Sequence, residues 1–198
     1  MSGAMAEALV PSAGRALYLY AVGADGAAAG VAMAAQYPAA HFGGRITDVA
    51  KVRLAAGAEW LAASYADGSA MCFDRRSASP AAVIRTAGAE AWSVCGAPTD
   101  ALPWHVAVGR SDGNVGLFDA RKADGGALAT LRAFHAEGVT SLAAHAVNGD
   151  HAMLFSGAQD GLVCMFDVAR ATPDGFAAAK TVAQTLALWR RGGVVRGE

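Results

Sequence analysis

The sequence predicts an all-β chain assembled from a repeated strand–turn–strand unit. Three observations carry that expectation. An Asp-Gly pair recurs between short apolar runs, a Phe-Asp pair closes each copy, and the runs are apolar at successive positions rather than alternating with polar ones. The copies are Trp60 to Asp74, His105 to Asp119 and Met153 to Asp167. In each, the Asp of Asp-Gly lies seven residues before the Asp of Phe-Asp.

Each part of the unit has a physical reason. Runs rich in β-branched and aromatic residues favour strands. Asp-Gly favours a tight turn, because Gly takes positive φ without steric cost and Asp bonds its own backbone. After Phe-Asp the pattern breaks at Arg75-Arg76-Ser77, Arg121-Lys122-Ala123 and Ala169-Arg170-Ala171. Further candidate strands precede the hairpins at Ile46 to Val52, Ala91 to Cys95 and Val139 to Ala144. Strands apolar on both faces fit sheets sandwiched between neighbouring sheets.

The turn residues Asp67, Asp112 and Asp160 are 45 and 48 residues apart. One four-stranded propeller blade takes roughly 40–45 residues. A weaker copy around Asp25-Gly26 lies 42 residues before Asp67 and lacks the closing Phe-Asp. The organisation expected is a flexible N-terminus over 1–16 and blades over 17–170. These divide into a weak blade at about 17–40, then about 41–85, 86–130 and 131–170. Residues 171–198 are expected to be a tail or the start of a further blade.

These residues resemble the WD-repeat family, whose blades end in Trp-Asp and open near a Gly-His pair. Phe73-Asp74, Phe118-Asp119 and Phe166-Asp167 stand in the Trp-Asp slot. The third copy is the most similar, with His135-Ala-Glu-Gly-Val139-Thr-Ser-Leu142 as its opening and Ser156-Gly-Ala-Gln-Asp160-Gly161 as its hairpin. Within the family the segment is similar to the WD-repeat-containing protein 89 type. The resemblance implies an incomplete WD-repeat β-propeller of about four four-stranded blades, open to completion by a second chain. A seven-bladed ring at the family period would take roughly 300 residues. An open arc would leave blade edges and an apolar face for homo-oligomer formation.

The family's His, Asp, Ser/Thr and Trp tetrad maps incompletely. The third blade offers His135, Asp160 and Ser156, with Phe166 lacking an indole N–H. The first full blade offers Asp67, Ser64 and Phe73, with His41 as a poorly aligned fourth member. The middle blade offers Asp112 and Phe118, with Val108 where the hydroxyl belongs. Incomplete networks imply blades softer than consensus ones.

Other chemistries find little support. No nucleophile elbow, Gly-rich phosphate loop or HExxH is present, and Gly23 to Gly30 lacks GxGxxG spacing. Nonapeptide calcium repeats would recur every nine residues, not at the blade period. Cys72, Cys95 and Cys164 are too dispersed for a disulfide framework or zinc site. A net charge of −1 among 17% charged residues, without like-charge blocks, argues against nucleic acid as a partner. No cofactor is expected. No leader or membrane-spanning stretch is evident, so cytoplasm or nucleus is the expected location, with no membrane partner.

The expectation for function is a non-enzymatic protein-interaction scaffold or adaptor. A protein partner would dock on the face that carries Arg45, Tyr65, Trp92, Arg110, Ser111, Glu137 and Gln159, rich in the residue types that dominate interface hot spots. Two alternatives stand beside it. One is a hydrolase- or lactonase-like propeller with a channel metal, for which only Asp48 and His145 are channel-side candidates. The other is a truncated fragment without an independent role.

Overall fold

A computed structural model describes residues 6–11, 16–22, 32–38, 44–53, 59–74, 76, 80–86, 88–96, 104–122, 126–132, 134–148, 151–168, 171–172, 175–176 and 180–181. Among these residues there is no α-helix. Strands β1 (Ala6–Pro11), β2 (Ala16–Val22) and β3 (Ala32–Pro38) form a first sheet. Strands β4 (Ile46–Arg53), β5 (Glu59–Tyr65), β6 (Ser69–Asp74) and β7 (Pro80–Arg85) form a second. The third holds β8 (Ala91–Gly96), β9 (His105–Arg110), β10 (Val115–Asp119) and β11 (Ala129–Leu131). In the fourth are β12 (Val139–Asn148), β13 (His151–Ala158) and β14 (Val163–Asp167), after which β15 (Ala171–Thr172) and β16 (Gly175–Phe176) pair separately. The short strand β17 (Lys180–Thr181) returns to β14 as the fourth sheet's outer strand.

Every pairing among the described residues is antiparallel, and all but β14 with β17 join consecutive strands, so the first three sheets are meanders and the fourth is one through β14. Two segments differ from the sequence expectation. Ala6–Pro11, placed in a flexible N-terminus, is a strand paired along its length with β2. Lys180–Thr181, placed in a tail or further blade, completes the fourth sheet. The Asp25-Gly26 turn, His41 and residues 182–198 lie outside the described residues.

The three Asp-Gly turns are built alike. Gly68, Gly113 and Gly161 take φ of 82°, 79° and 76°, the left-handed region that a Cβ disfavours. Each preceding Asp carboxylate accepts a backbone N–H two residues on, from Ser69 (2.9 Å), Asn114 (3.2 Å) and Leu162 (2.9 Å). This is local bonding that favours a turn over continued strand.

Alternation along each strand then decides which neighbour a side chain meets. β5 turns Leu61, Ala63 and Tyr65, with Met71 and Phe73 of β6, towards Leu17 and Leu19 of the first sheet. The opposite face, with Ala62, Ala70 and Cys72, packs on Val106, Val108 and Phe118 of the third. Ala107, Val115 and Leu117 in turn meet Leu154, Cys164 and Phe166 of the fourth. The second and third sheets therefore bury both faces. Phe73, Phe118 and Phe166 are 0%, 4% and 0% exposed, each in the core shared with the preceding sheet, and each burial contributes about 2 kcal/mol. No buried cluster of described residues joins the first sheet to the last, so the described sheets form an arc.

Polar bonds stitch the inner strands across sheets. Thr47 Oγ1 donates to the Ala91 carbonyl (2.6 Å), Val94 N–H donates to Asp48 Oδ2 (3.0 Å), and Ser93 Oγ donates to the Val139 carbonyl (3.0 Å). Burial pushes the Asp48 carboxyl up, against the lowering pull of the Val94 and Val49 N–H groups. At the opposite rim Asp74 and Asp119 each grip the arginine two residues on, with guanidinium contacts of 3.0 and 2.7 Å in both cases. Arg121 also lies over Trp104 (5.7 Å), which meets Trp60 edge-to-face at 5.5 Å.

Two outcomes are expected. At Gly109 an added Cβ would collide with Ser93 Oγ and lie 2.7 Å from Val139 Cγ1, whereas Gly157, its counterpart in β13, has nothing within 4 Å. Chemical denaturation should show Gly109→Ala losing about 1–3 kcal/mol, and Gly157→Ala staying within about 0.5 kcal/mol of wild type. The second outcome concerns pH. The Arg121 and Arg76 side chains hold the Asp119 and Asp74 carboxyls down at about 2. A folded value below the unfolded one of about 3.9 makes this stabilisation complete above that range and lost as pH falls towards 2. The stability gap between wild type and Arg121→Gln should therefore be present at neutral pH and close on acidification. A gap independent of pH would show that the Asp119 pairing contributes nothing.

Candidate protein-interaction face

The inner strands share one irregularity. Register shifts fall between Ile46 and Asp48, Ala91 and Ser93, and Val139 and Ser141, making Thr47, Trp92 and Thr140 bulge residues. A bulge breaks the alternation and re-aims its side chain. Each lies 20 residues before its turn Asp. Backbone bonds hold the hairpin ends against the same strands, from Ala66 N–H to Arg45 (2.9 Å), Ser111 N–H to Glu90 (2.9 Å) and Gln159 N–H to Gly138 (3.0 Å).

The result is a depression of about 290 Å³ lined by Arg45, Ile46, Thr47, Trp92, Thr140 and Gln159. Thr47 Oγ1 also lies 2.8 Å from Ser64 Oγ. Trp92 is half-buried, its Nε1–H donating to Glu90 Oε2 (2.8 Å). Its ring lies against Gly138, where a Cβ would collide with Cζ3 and Cε3. The indole is therefore fixed before any ligand arrives, which lowers the ordering cost of binding.

Three residues expected on the face, Arg45, Trp92 and Gln159, line the depression. Ser111 is half-buried, its Oγ accepting the Glu90 N–H (3.2 Å). Arg110 pairs with Asp112 (2.7 Å), and Glu137 is exposed. Tyr65 is a correction: it is 0% exposed within the core against Leu17 and Leu61. It has the parity of Leu61 and Ala63 along β5, and its position beside the turn Asp does not override that alternation. Burial pushes its phenol up to about 12, with Asp67 adding to the shift. Sequence reasoning missed Ile46, Thr47 and Thr140. The common offset from the turn Asp was the available signal for the two threonines.

The tetrad residues separate clearly. His135 Nδ1 lies 3.3 Å from both Asp160 carboxylate oxygens, and Nε2 lies 2.7 Å from Ser156 Oγ. Asp160 also accepts the Ala136 (2.9 Å) and Leu162 (2.9 Å) N–H groups, which with His135 hold its carboxyl below the usual range. Phe166 meets Phe134 edge-to-face (5.4 Å). This Ser–His–Asp chain has hydrogen bonds arranged like those of a nucleophilic triad. Ser156, however, is 1% exposed and buried between sheets, so its Oγ reaches no substrate.

Among the described residues the first full blade has no such chain, which corrects the grouping of Ser64 with Asp67. Asp67 bonds Ser69 N–H and Oγ, while Ser64 faces the other way, to Thr47. Ala63 holds the station of Ser156, four residues before the turn Asp, and one residue's difference reverses the facing side. In the middle blade Asp112 is exposed and bonds Arg110 and Asn114, and Val108 is buried. Among the described residues no group of three or more His, Cys, Asp or Glu is placed to hold a metal ion. Asp48, the channel-side carboxylate, is already engaged by two backbone N–H groups.

An all-β stack of antiparallel sheets, three of them four-stranded among the described residues, with a bulge-lined depression beside its turns, is consistent with an incomplete WD-type propeller. Residues 126–167 match the family model described as WD domain, G-beta repeat. The matched segment contains the complete Ser156–His135–Asp160 chain, and it supports the WD-repeat resemblance. No curated protein matches the chain.

The Ser156–His135 bond makes a sharp test. Ser156→Ala leaves a buried imidazole nitrogen unpaired and should cost about 1–3 kcal/mol in urea unfolding. Ser64→Ala should cost less, because Thr47 keeps its bond to the Ala91 carbonyl. Equal losses would mean that the imidazole bond contributes nothing particular.

Proposed function

We propose that this chain is a non-catalytic protein-interaction module that holds a peptide segment of a protein partner in the depression between Arg45, Trp92 and Gln159. One observation carries the reading. Bulge residues of three successive sheets, Thr47, Trp92 and Thr140, converge on a single depression with an exposed Arg at its edge. A fixed aromatic beside a cation suits the anchor contacts that dominate protein interfaces. The WD-type repeat adds general support, since such repeats serve as interaction scaffolds. The near-neutral charge is consistent with a protein rather than a nucleic acid as partner.

A reducing compartment, cytoplasm or nucleus, belongs to this reading. Cys72, Cys95 and Cys164 are free and buried, and burial pushes the Cys72 and Cys95 thiols up to about 12. They serve as small core groups rather than reactive thiolates.

The test is selection of binding peptides from a displayed library against the full chain, followed by calorimetric titration. Arg45→Glu and Trp92→Ala should each weaken selected peptides about tenfold or more while leaving the melt cooperative. Glu137→Ala, at a residue outside the depression, should leave affinity within about twofold. Peptides that bind both depression variants as tightly as wild type would sink this assignment.

A further inference from the structure

The fourth sheet has one face packed on the third and another that no described sheet covers. Register makes its stations comparable with those of its predecessors. Ala62 opposite Cys72 and Ala107 opposite Leu117 correspond to Phe155 opposite Met165, and Ala70 and Val115 correspond to Val163. In the second and third sheets these stations lie in the core, with Ala70 and Val115 at 0% and 1% exposure. In the fourth, Val163 is 46% exposed, and Phe155, Met153 and Met165 are half-buried outside every buried cluster. Gly157 has nothing within 4 Å, whereas Gly109 at the same station touches the following sheet. The face is patterned like two covered ones and carries larger apolar groups. Contiguous exposed apolar surface of this kind marks an association site.

The stack has a polarity that selects what fits there. At the interfaces leaving the second and third sheets, the leading face, with stations such as Ala62 and Cys72, meets the trailing face of the following sheet, with stations such as Val106 and Phe118. The fourth sheet's free face is a leading face and calls for a trailing one. The first sheet turns Leu17 and Leu19 towards β5 and β6. Tyr18, of opposite parity, therefore lies on its trailing face, registered against an exposed Gln36. One chain thus offers one leading and one trailing face, both free of any described sheet.

We propose that two copies of this chain associate head-to-tail, the leading face of β12–β14 in one protomer packing on the trailing face of β1–β3 in its partner. A two-fold axis satisfies both pairs of faces at once. The four larger sheets among the described residues of each copy would give a ring of eight, within the four to eight blades that propellers use. The contact continues the stacking already present between sheets and leaves the depression at Arg45 and Trp92 independent of it.

The test is light scattering on a sizing column over a wide concentration range, using the full chain. Wild type should reach the mass of two 20.0 kDa chains. Val163→Glu and Tyr18→Glu, each with its melt checked, should each run at half that mass. Their equimolar mixture should regain the two-chain mass, because one contact in the mixed pair joins two unaltered faces. Met153 and Met165 in wild type should become protected from oxidation as concentration rises, a readout that needs no variant. A wild type of single-chain mass at every concentration overturns the proposal, whether the face is covered within the chain or by another protein. So does an unchanged Val163→Glu mass. A mixture that stays single-chain overturns it too, because a head-to-tail contact leaves one unaltered pair of faces in the mixed dimer, and so does a Tyr18→Glu variant that keeps the two-chain mass, because leading faces would then be pairing with each other.

Discussion

Burial of both faces of a sheet is the constraint on which the other features depend. A strand packed on one side has a free polar face, but β5, β6, β9 and β10 have none, so every second side chain meets one neighbour and the rest meet the other. Small residues let the sheets approach. Ala62, Ala70 and Cys72 lie under Val106, Val108 and Phe118, and Gly109 admits Ser93 and Val139 where any side chain would collide. Close approach in turn brings the inner strands within hydrogen-bond reach. Thr47, Asp48 and Ser93 then bond the backbone of the adjacent sheet instead of water.

The same constraint separates structural from accessible polar groups. Ser156, His135 and Asp160 form a chain whose serine is sealed between sheets, so it secures the loop before β12 to the turn after β13. Thr47, Trp92 and Thr140 escape the sandwich because a bulge takes them out of the alternation. A depression that gathers one bulge residue from each of three sheets exists only while the sheets hold their spacing. Sheet packing therefore fixes the geometry of the candidate binding face, though the face itself is polar.

Legibility in the sequence followed the range of the interaction. The Asp-Gly turns and the Phe-Asp closures were readable because their chemistry lies within a few adjacent residues. The Asp-x-Arg grips at Asp74 and Asp119 are just as local, yet they were passed over as breaks in the pattern. Arg45, Trp92 and Gln159, expected on the face by residue type and position beside the turns, line one depression. Ser64 and Tyr65 were misplaced because an offset of one residue along a strand exchanges the two blade faces. Composition does not record that offset.

By itself, the sequence determined the all-β class, the blade period, the turn positions and the His135, Ser156 and Asp160 set, all of which are carried by contiguous or regularly spaced residues. Only the tertiary structure decided that Ser64 belongs to Thr47, that Tyr65 is core, and that Arg45, Trp92 and Thr140 share one depression. The physical reason is that these relations cross between sheets. Side-chain direction there depends on bulges and on which sheet packs opposite, and neither is encoded in the residues of a single strand.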